Sequence, residues 1–157
     1  MKKAAFFDRD GTINVNTGHL HDPKQLSFIE GVPQLIRRFN EAGYLVIVIT
    51  NQAGIAKGFY TEDDMHHLHK VLNERLQREY NAHIDAFYFC PHHPDFTGPC
   101  QCRKPATGML KRAIEDFDID VTQSFLFGDM PHDIECGERM KIRSYEIQEA
   151  LHSELSI

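Results

Sequence analysis

The chain has 157 residues, 41% hydrophobic and 25% charged, which is enough to bury a sizeable core in one domain and ordinary for a globular protein. A formal net charge of −6 argues against a general nucleic-acid binder and suits a soluble cytoplasmic protein. Met1-Lys2-Lys3 leads into too few apolar residues for a secretion signal, and no apolar stretch approaches the length of a membrane span.

Ala4 to Phe7 is a short apolar run that ends in two carboxylates, Asp8 and Asp10, and then the turn residues Gly11 and Thr12. Such a run reads as a buried strand closed by a turn. Val32, Leu35, Ile36 and Phe39 recur at helical spacing, with Gly43 as the stop. Tyr44 to Ile49 is a continuous apolar run, hence a central strand, ending in Thr50-Asn51-Gln52. Thr61, with Asp64 three residues on, caps a second helix whose apolar stripe is Met65, Leu68, Val71, Leu72 and Leu76. Ala86 to Cys90 is a third strand. Met109, Leu110, Ala113, Ile114 and Phe117 mark another helix, and Ser124 to Phe127 another strand, ending at Gly128-Asp129. A short helix from about Pro131 and a last strand from Arg143 to Ile147 close the chain. Alternation of this kind means βαβ units: one α/β domain, residues 1–157, with a parallel sheet covered by helices on both faces.

In open α/β sheets, ligands bind at the carboxyl ends of the strands. Asp8 and Asp10, Thr50 and Asn51, and Asp129 all stand at such ends, and Lys104-Pro105 leads into a helix. Carboxylates can share a hard cation such as Mg²⁺, while one attacks an electrophile and another handles protons. Phosphoryl transfer asks for positioning and neutralised charge on the equatorial oxygens. Thr50, Asn51 and Lys104 supply donors for it; Asp8, Asp10 and Asp129 suit the cation, with Asp133 supporting its water shell.

In order, Asp8-x-Asp10-Gly11-Thr12, Thr50-Asn51-Gln52, Lys104 and Gly128-Asp129-xxx-Asp133 resemble the four motifs of the haloacid-dehalogenase-like (HAD-like) phosphatases. The resemblance implies a Mg²⁺-dependent phosphatase with a Rossmann-like core. Asp8 would be the nucleophile that forms an aspartyl-phosphate. Asp10 would protonate the leaving oxygen and then activate water.

A second constellation is Cys90-Pro91-His92-His93-Pro94 followed by Cys100-Gln101-Cys102. Three thiolates and an imidazole suit a closed tetrahedral Zn²⁺ site, whereas the bland alternative is a loop with a few buried thiols. The block is similar to the zinc loop of the heptose-bisphosphate and histidinol-phosphate phosphatases, which lack a separate cap domain. By position the ligands would be Cys90, His92, Cys100 and Cys102, in a zinc loop spanning 90–102. Arg103 and Lys104 follow directly, so a metal clamp would fix both against a phosphate.

Asn51-Gln52-Ala53-Gly54-Ile55-Ala56-Lys57-Gly58 and Lys104-Pro105-xx-Gly108-Met109-Leu110 resemble the heptose branch, with Lys57 where that branch usually has Arg. A second phosphate needs further cations, and Lys57 and Arg103 are the candidates. The short loop between Cys90 and Cys100 resembles the histidinol type instead, so histidinol phosphate, or another small phosphorylated metabolite, stands as the alternative substrate. The resemblance implies a small phosphorylated sugar as substrate; a monomer is expected, with no nucleic-acid or membrane partner. A response-regulator receiver also groups acids, a Thr and a Lys around an aspartyl-phosphate. Its phosphorylated Asp follows a middle strand, and a thiol loop has no place in it.

Other polar residues read as scaffold. His66, His67 and His69 lack i, i+4 spacing among themselves and are expected on a solvated helix face. His19 and His21 are expected as solvated loop residues, Cys136 as a buried free thiol, and Arg9 as a charge balance between two acids.

Overall fold

The computed structural model describes residues 1–157. Five strands form one sheet: β1 (Ala4–Phe7), β2 (Leu45–Asn51), β3 (Ala86–Cys90), β4 (Phe125–Gly128) and β5 (Arg143–Glu146). Their order is β3-β2-β1-β4-β5, and every pair is parallel. All five carboxyl ends therefore open on one edge, with β1 in the middle. The register pairs Phe7 with Val48 and with Phe127, which brings the residues following β1 and β4 level with one another.

Seven helices complete the fold: α1 (Val32–Glu41), α2 (Ala53–Ala56), α3 (Glu62–Tyr80), α4 (Pro94–Thr97), α5 (Gly108–Phe117), α6 (Pro131–Arg139) and α7 (Ile147–Leu151). Alternation along the strands sorts the core into two layers. Ala5, Phe7, Val46, Val48, Phe125 and Phe127 face one side with Leu35, Ile36 and Phe39 of α1 and Leu68, Leu72 and Leu76 of α3. Ala4, Phe6, Ile47, Ile49 and Leu126 face the other with Met109, Leu110 and Ala113 of α5 and Cys136 of α6. Helices thus cover both faces, as parallel strands buried on both sides require. The start of α3 is secured by a reciprocal cap: Thr61 Oγ1 accepts from the Asp64 amide at 3.1 Å, and Asp64 Oδ2 from the Thr61 amide at 2.9 Å.

The differences from the sequence reading concern element boundaries and two short helices. The central strand runs to Asn51, so Thr50 and Asn51 belong to β2 itself. The last strand stops at Glu146, where Ile147 opens the short helix α7. Helices α2 and α4, four residues each, are too short to leave a periodic signal. The helix after Lys104 begins at Gly108, and the Lys104–Pro105 bond is cis.

Candidate active site and thiol loop

β1 delivers Asp8 to the sheet edge, and its amide donates to the Phe127 carbonyl of β4 at 3.0 Å. The chain then turns sharply at Gly11, whose φ of +86° favours glycine. A Cβ there would also overlap the carboxylate of Asp129. Across the edge, Gly128 is required for close approach, because a side chain would collide with Asp133. Asp133 Oδ2 accepts from the amides of Asp129 and Met130 at 3.2 and 3.1 Å, which fixes the β4–α6 turn.

Lys104 reaches the same point from the segment after the thiol loop. Its Nζ donates to Asp8 Oδ1 and to Asp133 Oδ1, both at 2.7 Å, and to the Ile49 carbonyl at 3.0 Å. The lysine side chain is 1% exposed. Its ammonium is held above its ordinary pKa: burial opposes the charge, but Asp8 and Asp133 outweigh it. Asn51 anchors the lysine main chain by accepting from its amide at 3.0 Å and donating to its carbonyl at 3.4 Å.

Asp8, Asp129 and Asp133 each present a carboxylate oxygen within 4.8 Å of the others. Three carboxylates against one ammonium leave two negative charges, and all donors are hard oxygens, so the set fits a divalent cation such as Mg²⁺. Burial, followed by the repulsion of Asp133 and Asp129, pushes the Asp8 carboxyl up to about 7 despite Lys104. Burial also raises Asp129. A bound cation would relieve both.

Asp10 stands apart from this cluster. Its carboxylate receives Arg9 Nε and Nη2, both at 3.0 Å, Asn14 Nδ2 at 3.0 Å and Gln52 Nε2 at 3.3 Å. Gln52 Nε2 also donates to Thr50 Oγ1 at 2.8 Å, and the Tyr60 hydroxyl donates to Gln52 Oε1. One network therefore orients Asp10 and Thr50 together.

Asp8, Asp10, Asn51, Arg103, Lys104 and Asp129 line a cavity of 290 Å³ that also borders Asn16, His19, Gln52, Tyr60, Met130 and His132. A larger groove of 550 Å³ lies between α1 and α7, but it gathers no metal-ligating cluster, so volume does not mark the site. Thr50 is buried beneath the cavity. Lys57 caps the C-terminus of α2 outside the lining; its charge, after burial, lowers the pKa of His19.

The thiol loop begins where β3 ends. Cys90 Sγ lies 3.6 Å from His92 Nδ1 and 3.6 Å from Cys100 Sγ, and His92 Nδ1 lies 3.2 Å from Cys102 Sγ. Cys90 and Cys102 are closer, at 2.6 Å. The four ligand atoms fall within 4.8 Å of one another, as the corners of a tetrahedron with ~2.3 Å Zn–S bonds must. This soft donor set fits Zn²⁺ and not a hard cation. His93 is turned away, accepting from the Asp95 amide as the cap of α4. Arg103 Nη1 donates to the His92 carbonyl at 3.5 Å, which ties the loop to the cavity wall.

Gln52, Tyr60, Asn14 and His132 were not singled out by sequence reasoning. Gln52 was visible as the third residue of a motif, whereas Tyr60 and Asn14 become neighbours only through folding. The histidines need one correction. His66 and His67 are exposed, but His69 is buried, stacked on Phe87 at 4.3 Å with an interplanar angle of 10°. His19 is exposed yet borders the cavity. Cys136 is a buried thiol that donates to the Ala106 carbonyl at 3.3 Å, as expected.

The chain has relatives among known proteins. Residues 3–146 match the family model of polynucleotide kinase 3 phosphatase. The chain is 38% identical over 91% of its length, and 81% of the relative's, to the D-glycero-β-D-manno-heptose-1,7-bisphosphate 7-phosphatase of Haemophilus ducreyi. It is 40% identical to the Haemophilus influenzae enzyme of the same name, covering 91% and 79% of the two chains. Among solved structures, a HAD-like phosphatase from Mesorhizobium loti superposes with a TM-score of 0.87 at 30% identity, covering 96% and 83%. The D,D-heptose 1,7-bisphosphate phosphatase of B. bronchiseptica, complexed with magnesium and phosphate, gives 0.84 at 26% identity, covering 98% and 88%.

Proposed function

Because the chain belongs to the heptose-1,7-bisphosphate 7-phosphatase family of HAD-like phosphatases, we propose that it removes the 7-phosphate of D-glycero-β-D-manno-heptose 1,7-bisphosphate. The observation that carries the reading is the Lys104 ammonium gripped between Asp8 and Asp133 beside Asp129. A buried cation there prepares the Asp8 carboxylate and still faces the cavity that receives the phosphate.

Asp8 attacks phosphorus, and the ester bond to the sugar oxygen breaks. Asp10 gives its proton to that oxygen. It then takes a proton from the water that attacks the aspartyl-phosphate, which releases phosphate and restores Asp8. Lys104, the Thr50 hydroxyl and Asn51 stabilise the equatorial oxygens. Asp8, Asp129 and Asp133 would hold Mg²⁺, whereas the Asp10 carboxylate is engaged by Arg9, Asn14 and Gln52. When bound, the ion neutralises charge on the phosphoryl group. Arg103, which lines the cavity, and Lys57, outside the lining but beside its His19, would receive the second phosphate. Cys90, His92, Cys100 and Cys102 would hold Zn²⁺ in a structural role that keeps Arg103 and Lys104 in place.

Every group of the site comes from one chain, so the reading needs no second copy. The four cysteines as free thiols suit a reducing cytoplasm. The formal net charge of −6 disfavours nucleic acid and anionic lipid.

The test is kcat/KM with Mg²⁺ for the heptose bisphosphate, both anomers, beside histidinol phosphate. A preference of tenfold or more for the bisphosphate, about 1.4 kcal/mol, is expected, together with loss of turnover in Asp8→Asn. Preference for histidinol phosphate would move the enzyme to the other branch and leave Lys57 without a phosphate to hold. Wild-type hydrolysis by Asp8→Asn would end the nucleophile assignment.

A further inference from the structure

His69 breaks the pattern of the helix that carries it. Met65, Leu68, Leu72 and Leu76 form the buried side of α3, yet His69, 4% exposed, shares that burial. Its Nε2 lies 3.1 Å from Nη1 of Arg9. A guanidinium can only donate, so Nε2 accepts and the ring is the neutral Nδ1–H tautomer. Nδ1 then has no partner. A leucine would spare this orphaned donor and continue the stripe, so packing alone does not account for the histidine.

Arg9 is 0% exposed. Besides His69, its guanidinium grips both oxygens of Asp10 at 3.0 Å and the Leu20 carbonyl at 3.1 Å. A planar fork with its Nε–Nη2 edge on Asp10 and its Nη1 on His69 fixes the plane of the Asp10 carboxylate. Removing the His69 acceptor leaves Nη1 buried without that anchor, and the fork is free to tilt with the carboxylate it holds.

We infer that His69 is a positioning residue for proton transfer, acting through the Arg9 guanidinium to aim the Asp10 carboxylate at the leaving oxygen. The inference rests on the acid–base role proposed above for Asp10. It makes Arg9 more than a counter-charge and assigns the reaction a residue from α3, which carries no motif of the site.

Leaving groups provide the test. An alkoxide needs Asp10's proton to depart, whereas nitrophenolate does not. kcat/KM reports the chemistry up to formation of the aspartyl-phosphate. His69→Leu should lower kcat/KM about tenfold or more for the sugar phosphate, but less than threefold for p-nitrophenyl phosphate. His69→Gln, whose amide oxygen can accept from Arg9, should recover most of the loss. Should His69→Leu fail to fold, His69→Met keeps the volume without the acceptor and gives the same readout. Equal losses on both substrates, or no loss on either, would overturn the inference. Asp10→Asn separates the two claims. If it shows the leaving-group split and His69→Leu does not, only the positioning role fails. If Asp10→Asn shows no split, the acid–base reading fails first.

Discussion

At the ends of β1 and β4, the sheet itself holds the acids: Asp8 is hydrogen-bonded into β4, and Asp133 caps the turn that presents Asp129. The thiol loop is held differently, for Cys90 alone of its four candidate ligands stands on a strand, and His92, Cys100 and Cys102 follow in a loop whose one helix has four residues. The acid cluster is a product of the core, preformed and strained by its own charge, with Asp8 raised to about 7. The thiol cluster is a product of its own side chains, so a metal held there would contribute local folding energy. Breaking the first should cost stability and chemistry together, while breaking the second should cost chemistry and leave the sheet intact.

The largest effect is expected for Lys104→Met. It strips the partner from two buried carboxylates, which should lower stability by about 3–5 kcal/mol in urea unfolding. With the phosphate donor gone as well, kcat/KM should fall about 10²–10³-fold. Unchanged stability would mean the acid cluster does not depend on its lysine.

Next comes Cys102→Ser, or removal of zinc with Mg²⁺ retained. Zinc content should drop below one per chain and activity about tenfold or more, while far-UV circular dichroism stays that of the wild type. Full kcat/KM in the stripped protein would reduce the loop to a bystander.

A smaller effect comes from His69, outside both clusters. Burial, and the facing charge of Arg9, hold its pKa at about 3 against an ordinary 6.5. Between those values the unfolded chain binds a proton that the folded one refuses. The stabilising contribution is complete above pH 6.5 and is lost as pH falls, by up to about 1.4 kcal/mol per pH unit. Asp8 acts in the opposite sense, because its folded pKa of about 7 lies above the ordinary 3.8. The comparison is therefore wild type against His69→Gln in urea titrations at pH 5 and 6.5. The wild type should lose more on acidification, and parallel losses would refute the buried neutral histidine.

The smallest effect belongs to Cys136→Ala. This fourth cysteine, on the buried side of α6, lies in the core, so its loss should cost about 1 kcal/mol and leave zinc content unchanged. A drop in bound zinc would redraw the thiol cluster.

Much of this was legible along the chain because the signals are local. Ala4–Phe7 followed by Asp8, and Phe125–Gly128 followed by Asp129, announce strands and strand ends by residue type alone. The soft donors Cys90, His92, Cys100 and Cys102 lie within thirteen positions and need only a turn to converge. Helices α2, α4 and α7 were not legible, since four or five residues complete too few turns to show a period. The burial of His69 is not legible along the chain, because its neighbours His66 and His67 are exposed. Its ring is buried against Phe87 of β3, a neighbour that only folding supplies.

The sequence by itself determined the strand ends, the order of the motifs and the hard and soft donor sets, because periodicity and side-chain chemistry are properties of neighbouring residues. Only the tertiary structure decided which donors meet. It drew Asp133 into the acid cluster, turned the Asp10 carboxylate toward Arg9 and Gln52, threaded Lys104 between two acids, and set His69 behind the arginine. Those meetings depend on the strand order β3-β2-β1-β4-β5 and on the packing of α3 against it, long-range choices settled by the burial of two apolar layers rather than by any local signal.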